Sequence, residues 1–273
     1  MPKATLGRAF EMFLQACKPH GFLRGNHPLI LAYHSVSRLR TDSLAVSADN
    51  FRAQLEWLKK HNYQIVTLNE ALEHSGDRRK LAVLTFDDGY ADNYQVAYPI
   101  MKEFDFRGTI FLVSTSVGTK KIFWWDQARV DAGESHEANE VLSWEQVHEM
   151  QDNGFEFGSH TATHRLLPTL SVPERISEIE NSKQTLEDGL GRPVTSFCYP
   201  EGRLDELTTE LVEKAGYSQA VVTVRGESEP YGTMALRRVG VYYHVNLQTF
   251  GIKNHRFVRR FREPLQLMRN SFA

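Results

Sequence analysis

Cysteine is almost missing from this sequence. The 273 residues include only two, Cys17 and Cys198, which lie far apart in the chain. Two such thiols do not make a disulfide framework, and the apolar run around Cys198 favours a buried free thiol. The sequence therefore carries no mark of an oxidising compartment.

Long apolar runs and an excess of charge are missing too. No stretch approaches the roughly 18 apolar residues of a membrane-spanning helix. Glu11 and Gln15 interrupt the apolar N-terminus, which argues against a secretory signal. The net charge is −2, so no global attraction to nucleic acid is expected. These absences predict a cytoplasmic protein without a nucleic-acid partner.

What the sequence does contain is an alternation of short apolar runs and helical patterns, from about residue 28 to residue 243. Several runs are apolar without alternation, which is typical of parallel strands buried on both faces. About eight β/α units in one domain predict an α/β fold, a distorted (β/α) barrel of about seven or eight strands. The predicted strands are Leu29–Tyr33, Tyr63–Val66, Leu81–Phe86, Thr109–Val113, Phe155–Gly158, Thr195–Tyr199, Ala220–Val224 and Arg237–Tyr242.

Helix boundaries carry their own signals. Thr67, Ser143 and Ser171 are each followed three residues later by Glu or Gln, the pattern of a capping box at a helix N-terminus. Gly154 and Gly216 stand where two helices should end. Between the predicted elements, residues 115–142 form a long connection, which favours a lid or a binding loop.

The two ends of the chain fall outside this rhythm. We expect a helical extension over residues 1–27, a catalytic barrel over 28–245 and a basic tail over 246–273. Both ends combine aromatic residues with arginine, as at Phe10 and Phe13 and again at Phe257 and Phe261. Such segments either pack on the barrel or lie on an anionic membrane surface as peripheral anchors, and packing is the favoured interpretation.

Chemically capable side chains follow four of the predicted strands. In a β/α barrel the carboxyl ends of the strands meet at one mouth, so these residues should lie together. They are His34 after Leu29–Tyr33, Asp87 and Asp88 after Leu81–Phe86, His160 and His164 after Phe155–Gly158, and Tyr199 at the end of Thr195–Tyr199.

Two carboxylates and two imidazoles at this mouth predict a metal site. Asp-Asp-Gly alone is good turn chemistry, and a lone histidine pair is more often incidental. Together, two histidines and one carboxylate hold a cation and leave positions open for water. The other aspartate, Asp87, is then free to act as a base, and His34 is the candidate acid for the leaving amine. The alternative for His34 is a structural histidine bonded inside the barrel.

At these residues the sequence resembles the polysaccharide deacetylase family over about residues 28–245. Thr85–Gly89 matches the motif T-F-D-D-G, Ser159–His164 matches S-H-[ST]-x-x-H, and Phe197–Gly202 is similar to F-x-Y-P-x-G. The three motifs in this order are highly specific. The resemblance implies a divalent metal, usually Zn²⁺ with Co²⁺, Ni²⁺ or Mn²⁺ possible, on Asp88, His160 and His164.

The resemblance also implies roles for neighbouring residues. Asp87 would be the general base, and the backbone N–H of Tyr199 would hold the oxyanion. Tyr33–Val36 is similar to the Y-H-x-[IV] segment of the exopolysaccharide N-deacetylase subset, which favours His34 as the acid over His244. The arginine partner of the base is not at its usual place.

Further site residues are left as alternatives. Arg192 lies too far before the third motif to be a good partner for Asp87, whereas Arg237 or Arg238 could serve, unless they form surface salt bridges. Arg238 is also a candidate substrate contact. Trp124, Trp125 and Trp144 are candidates for a sugar-binding face or for the core, and the long connection favours the first two.

The expected activity is hydrolysis of N-acetyl groups on N-acetylglucosamine-type residues of a polysaccharide or its precursor, with a glycan as the partner. Alternatives with the same fold are a deformylase, an O-acetyl esterase or another amidohydrolase, because pocket shape chooses the bond. An alternative of another class is an inactive glycan-binding module. That alternative predicts at least one lost catalytic group, yet both aspartates and both histidines are present.

Overall fold

A computed structural model describes residues 27–40, 42–223 and 232–254. Its strands, numbered β1 to β11 in chain order, are Leu29–Tyr33, Ser35–Ser37, Ala45–Ser47, Gln64–Ile65, Leu81–Phe86, Thr109–Leu112, Glu156–Ser159, Ser196–Cys198, Gln219–Val222, Leu236–Arg237 and Val239–Gly240. Each of the eight predicted strands has a counterpart among them. The short strands β2 and β3, which pair only with each other, were not predicted because their sequences show no apolar pattern.

The main sheet nearly closes on itself. Its strand order is β10-β9-β8-β7-β6-β5-β1-β11, and every neighbouring pair is parallel. Only Arg238 separates β10 from β11, so one short segment pairs with β9 and then with β1. The additional strand β4 pairs with the first two residues of β5. The predicted distorted (β/α) barrel in a single domain is confirmed.

Burial explains why the strands were recognisable. Every residue of β1 and of β5 is buried, as expected for strands covered on both faces. Cys198, at the end of β8, is a buried free thiol, as the sequence predicted. By contrast, the predicted run Arg237–Tyr242 is broken in two, because the chain changes its pairing partner at Arg238.

The helices, numbered α1 to α8, are Ala48–Lys60, Leu68–Glu73, Tyr98–Glu103, Trp124–Asp131, Trp144–Asp152, Val172–Leu190, Glu206–Lys214 and Leu247–Asn254. All three predicted capping boxes are present, at Thr67, Ser143 and Ser171. Gly154 and Gly216 follow the ends of α5 and α7 with φ of +83° and +87°, a conformation that favours glycine. The connection 115–142 contains α4, which lies beside the pocket described below.

The packed chain continues beyond the predicted end of the barrel. In α8, Phe250 is buried and meets Trp57 of α1 edge to face, with ring centroids 5.5 Å apart. Residues 1–26 and 255–273, which include Cys17 and the two aromatic, arginine-containing ends, lie outside the described residues. Among the described residues, no helix has the length and apolarity needed to cross a bilayer.

Candidate active site

The ends of four parallel strands bring the predicted residues to one pocket of about 330 Å³. The pocket lies at the carboxyl ends of the strands, where β/α barrels carry their active sites. The residues from four strand ends that line it are His34 after β1, Asp87 and Asp88 after β5, His160 and His164 after β7, and Tyr199 after β8.

Asp88, His160 and His164 form a cluster that fits a divalent cation. Oδ1 of Asp88 lies 3.6 Å from Nε2 of each histidine. Two ligand atoms at about 2.0 Å from one tetrahedral zinc ion lie about 3.3 Å from each other, so the spacing is close to that of a zinc site. Oδ1 is buried and has no hydrogen-bond partner among the described residues. A bound cation would supply the missing partner.

The charge states of the cluster also suit a cation. Burial, followed by the charges of Asp87 and Asp126, holds the pKa of Asp88 well above its ordinary value. Burial lowers the pKa of His160 and lowers that of His164 to about 2, so both rings are neutral. Neutral imidazoles are the form that ligates a metal, and a cation would favour the ionised form of Asp88.

The two histidines are oriented in different ways. Nδ1 of His160 lies 2.8 Å from the carbonyl oxygen of Cys198, a contact that directs Nε2 towards Asp88. His164 is packed instead against the ring of Trp125, with centroids 4.5 Å apart. Its backbone is left-handed, with φ of +62°, and Asp88 has φ of +72°. Such conformations in residues other than glycine are costly and cluster at functional sites.

Asp87 is held by Arg238 through two parallel hydrogen bonds. Nη1 donates to Oδ1 and Nη2 donates to Oδ2, each over 2.6 Å. Burial alone would raise the pKa of Asp87, but the charge and hydrogen bonds of Arg238 outweigh it and the pKa lies below its ordinary range. Arg238 is thus the arginine that meets Asp87, whereas Arg192 is exposed.

The two Nη atoms of Arg238 also contact other side chains of the barrel. Nη1 donates to the hydroxyl of Thr85 and Nη2 to that of Thr223, each over 2.9 Å, and Nη2 lies 3.1 Å from Sγ of Cys198. Nε of Arg238 is buried and has no hydrogen-bond partner among the described residues, and the side chain lines the pocket, so a contact of Arg238 with substrate stays a prediction. Its position beside Asp87 keeps a buried carboxylate ionised and in place.

His34 lies beside Asp87, whereas His244 does not. Nε2 of His34 is 3.8 Å from Oδ2 of Asp87, and the side chain is 16% exposed. Burial lowers the pKa of His34 to about 4, so the ring is neutral in the free protein. His244 is exposed, and the centroid of the Tyr242 ring is 6.1 Å from that of each of the two imidazoles. The geometry favours His34 as the group that exchanges protons in the pocket.

The backbone N–H of Tyr199 is hydrogen-bonded to a neighbouring strand. Its N–H donates to the carbonyl oxygen of Val221 over 3.3 Å, and its hydroxyl donates to the carbonyl oxygen of Met234 over 3.0 Å. In this structure the amide is therefore directed at the neighbouring strand. An oxyanion role for it requires that bond to be exchanged for one to the substrate.

The three candidate tryptophans lie in three different settings. Trp124 is 76% exposed at the rim of the pocket, and Trp125 is half-buried in its wall. Trp144 is half-buried and packs against the core, since a side chain on Gly189 of α6 would come within 2.2 Å of its ring. It does not line the pocket, which favours the core alternative for Trp144, and the sugar-face role of Trp124 and Trp125 stays a prediction.

A buried ionic network lies behind Trp125, and the sequence did not predict it. Arg40 donates to Asp126 over 3.1 Å, and both side chains are fully buried. Tyr90 donates to Asp126 over 2.7 Å and accepts a 2.9 Å hydrogen bond from the indole of Trp125. Arg129 also donates to Asp126. Asp126 directly follows the tryptophan pair, but no sequence pattern connects it with an arginine 86 positions earlier.

Sequence comparisons agree with the geometry. A sequence model of the family described as Polysaccharide deacetylase matches residues 74–220. YxkH of Bacillus subtilis (strain 168), which carries this family's name, is 36% identical over 227 residues, covering 81% of this chain and 74% of YxkH. The poly-beta-1,6-N-acetyl-D-glucosamine N-deacetylase of Staphylococcus aureus (strain MSSA476) is 26% identical over 217 residues, or 70% of each chain.

Solved structures with the same architecture include two of similar size. IcaB from Ammonifex degensii aligns with a TM-score of 0.65 and 25% identity, covering 83% of this chain and 94% of that one. The Streptococcus pyogenes deacetylase PplD, in complex with acetate, aligns with a TM-score of 0.66 and 25% identity, covering 81% and 95%. This chain belongs to the polysaccharide deacetylase family.

Proposed function

We propose that this chain is a metal-dependent hydrolase that removes N-acetyl groups from N-acetylglucosamine-type residues of a polysaccharide or its precursor. One observation carries the proposal: a carboxylate held ionised by Arg238, Asp87, lies next to the cluster Asp88, His160 and His164. The similarity to the S. aureus poly-beta-1,6-N-acetyl-D-glucosamine N-deacetylase supports the substrate class.

The cluster is proposed to hold one divalent cation, most plausibly Zn²⁺, since two imidazoles and one carboxylate match its preferred ligands. When bound, the ion would polarise the acetyl carbonyl group and lower the pKa of water. The protein's part is to keep both rings neutral and turned inwards and to place Asp88 beside them, while the ion would favour the ionised form of Asp88.

Asp87 is proposed as the general base. Its pKa lies below the ordinary range because of Arg238, so it is ionised at neutral pH and ready to accept a proton from the attacking water. The same bidentate contact fixes the carboxylate plane, so the carboxylate need not rotate during the reaction.

His34 is proposed as the group that protonates the leaving amine. Its ring is neutral in the free protein, so it has to take up a proton during the cycle before it can donate one. Asp87 is the nearest donor of that proton, since its Oδ2 lies 3.8 Å from Nε2 of His34. Base and acid therefore operate side by side in one pocket.

The pocket walls fit a pyranose ring. Trp124 exposes 76% of its surface at the rim, and Trp125 and Tyr242 contribute further aromatic surface to the pocket. Flat aromatic side chains provide large apolar faces with little loss of conformational entropy. We therefore propose that sugar units stack at the rim while one acetyl group enters the pocket.

The test is acetate release from defined N-acetylglucosamine oligomers and from O-acetylated oligosaccharides by zinc-loaded protein. The proposal expects N-acetyl hydrolysis, and loss of about 100-fold or more of it in Asp87→Asn with zinc retained. Preferred release from the O-acetylated substrate would identify an esterase. No release from either substrate, with zinc bound, would favour a glycan-binding module.

A further inference from the structure

We propose that Asp92 and Asn93 are positioning residues that clamp the strand carrying His34 onto the segment carrying Asp87. The clamp consists of these two side chains, the backbone of residues 34–36 and the hydroxyl group of Ser35. The inference rests on the proposed function, in which His34 is the acid and Asp87 is the base. Neither Asp92 nor Asn93 lines the pocket, so both would act through His34.

The clamp is made of four hydrogen bonds between buried groups. Nδ2 of Asn93 donates to the carbonyl oxygen of His34 over 2.8 Å and to Oδ1 of Asp92 over 3.0 Å. Oδ1 of Asp92 also accepts the amide of Val36 over 3.3 Å, and Oδ2 accepts the hydroxyl of Ser35. Asp92, Asn93 and Ser35 are 7%, 1% and 0% exposed. Bonds between groups this buried restrict motion strongly, because water cannot replace them.

The clamp adds to a backbone hydrogen bond at the ends of β1 and β5. The amide of Asp87 donates to the carbonyl oxygen of Tyr33 over 3.0 Å, and β1 pairs with β5 directly before this point. Successive carbonyl groups at the end of β1, those of Tyr33 and His34, are thus both bound by residues 87–93. The proposed base and acid are therefore carried by two segments that are bonded at both ends of residues 87–93.

His34 needs such a clamp because its own ring is poorly held. Nδ1 of His34 is buried and has no hydrogen-bond partner among the described residues, whereas Nδ1 of His160 lies 2.8 Å from a carbonyl oxygen. An imidazole without a bond to its second nitrogen takes its direction from backbone placement and packing. The backbone of His34 is fixed by Asn93, and that of Val36 by Asp92.

The clamp predicts an effect that depends on the leaving group. An amine leaves an amide poorly unless an acid protonates it, whereas p-nitrophenolate leaves without help. Loosening His34 should therefore slow N-acetyl hydrolysis far more than hydrolysis of p-nitrophenyl acetate. A general loss of structure would lower both rates together, so the ratio of the two rates separates positioning from folding.

The experiment measures both rates in the full-length zinc-loaded protein carrying Asn93→Ala, and separately Ser35→Ala, which removes only a hydroxyl group. We expect kcat for the N-acetylglucosamine oligomer to fall about 10-fold or more, a fraction of the 10²–10⁴-fold contribution of a general acid. The rate with p-nitrophenyl acetate should change less than about 3-fold, with KM and zinc affinity unchanged.

Two further variants define the limits. Thr209→Val removes a buried hydroxyl group that bonds only to backbone carbonyls of α7 and its N-cap, and it should leave both rates unchanged. His34→Ala should give the full change in the ratio. If His34→Ala changes the ratio of the two rates but neither Asn93→Ala nor Ser35→Ala does, the clamp is wrong while the proposed function stands. If His34→Ala leaves the ratio unchanged, the acid is misassigned and the clamp falls with it.

Discussion

The ring of Trp125 lies against the ring of His164, with centroids 4.5 Å apart, and the indole N–H of Trp125 donates to the hydroxyl of Tyr90. Tyr90 in turn donates to the buried Asp126, which Arg40 also meets. One wall of the pocket is therefore fixed from behind by a buried ionic network. The same wall supports a proposed metal ligand, so the proposed substrate contact and the proposed metal binding depend on one set of bonds.

Tyr90→Phe should lower both the stability of the fold and the affinity for zinc. The change leaves the Trp125 N–H and one oxygen of Asp126 without their partner, which costs about 1–3 kcal/mol of unfolding free energy. Loss of support behind a metal ligand typically weakens metal affinity by about 10-fold or more. Denaturant titration and calorimetry with zinc measure the two effects. Tyr94→Phe is the matched control, because its hydroxyl bonds to Glu149 at the surface, and an equal loss there would refute the link.

Arg238→Met should raise the pKa of the base. Without the guanidinium, burial dominates at Asp87, so its pKa should rise by about 1–3 units and the acid limb of the kcat/KM profile should move to higher pH by the same amount. Activity is then lost first at low pH, where the base becomes protonated. The profile of Arg237→Met should stay in place, and a profile of Arg238→Met that does not move would contradict the assignment.

The same variant should unfold more easily. Removing one partner of a buried ion pair costs about 3–5 kcal/mol, because the other charge stays buried. Asp87→Asn combined with Arg238→Met should recover most of that stability, since no charge is then left alone, but should not recover activity. Chemical denaturation of the single and double variants checks the pairing. Additive losses would mean that the two side chains do not interact.

Asp88→Asn should change stability in opposite directions with and without metal. Burial and the charge of Asp87 raise the pKa of Asp88, so the metal-free fold binds more protons than the unfolded chain and loses stability as pH rises above the ordinary pKa of aspartate. The neutral amide removes that loss, so the metal-free variant should melt higher at neutral pH. Zinc should raise the melting temperature of the original protein and not that of the variant. Asp152→Asn, at the exposed end of α5, should show neither change.

Asp92→Asn should change the pH dependence of stability without any metal. Burial raises the pKa of Asp92 to about 7, so the folded protein binds the extra proton and becomes less stable as pH rises from about 4 to 7. The variant lacks this slope, which is at most about 1.4 kcal/mol per pH unit. As pH rises to about 7, the original protein should therefore lose stability relative to the variant. Above pH 7 the difference between their unfolding free energies should stay constant. A difference independent of pH would contradict the raised pKa.

The sequence predicted those parts of the molecule that depend on local pattern. The strands Leu29–Tyr33 and Leu81–Phe86 were placed to the residue, because fully buried strands show as unbroken apolar runs. The residues at strand ends converge because parallel strands share one end, a rule that needs no coordinates. Asp88, His160 and His164 therefore meet as expected.

The parts that the sequence could not predict depend on pairings distant in the chain. Whether Arg237 or Arg238 meets the base depends on the point where the last strand changes partners, and no periodicity marks that point. The pairing of Arg40 with Asp126 likewise joins a loop and helix α4, which have no common pattern. The bond from the Tyr199 amide to Val221 depends on the register of two short strands, which a motif does not specify.

The change of partners between β10 and β11 places Arg238 at the seam of the barrel, where its own backbone N–H bonds to Val222 on one side while its side chain reaches Asp87 within. The residue that completes the cylinder is thus also the counter-ion of the proposed base. A substitution that loosens this seam, for example one that widens the pocket for a bulkier glycan, is therefore expected to change the pKa of Asp87 as well. Adaptation to substrate size is accordingly expected in pocket residues outside the seam, such as Trp124 and Trp125 of α4.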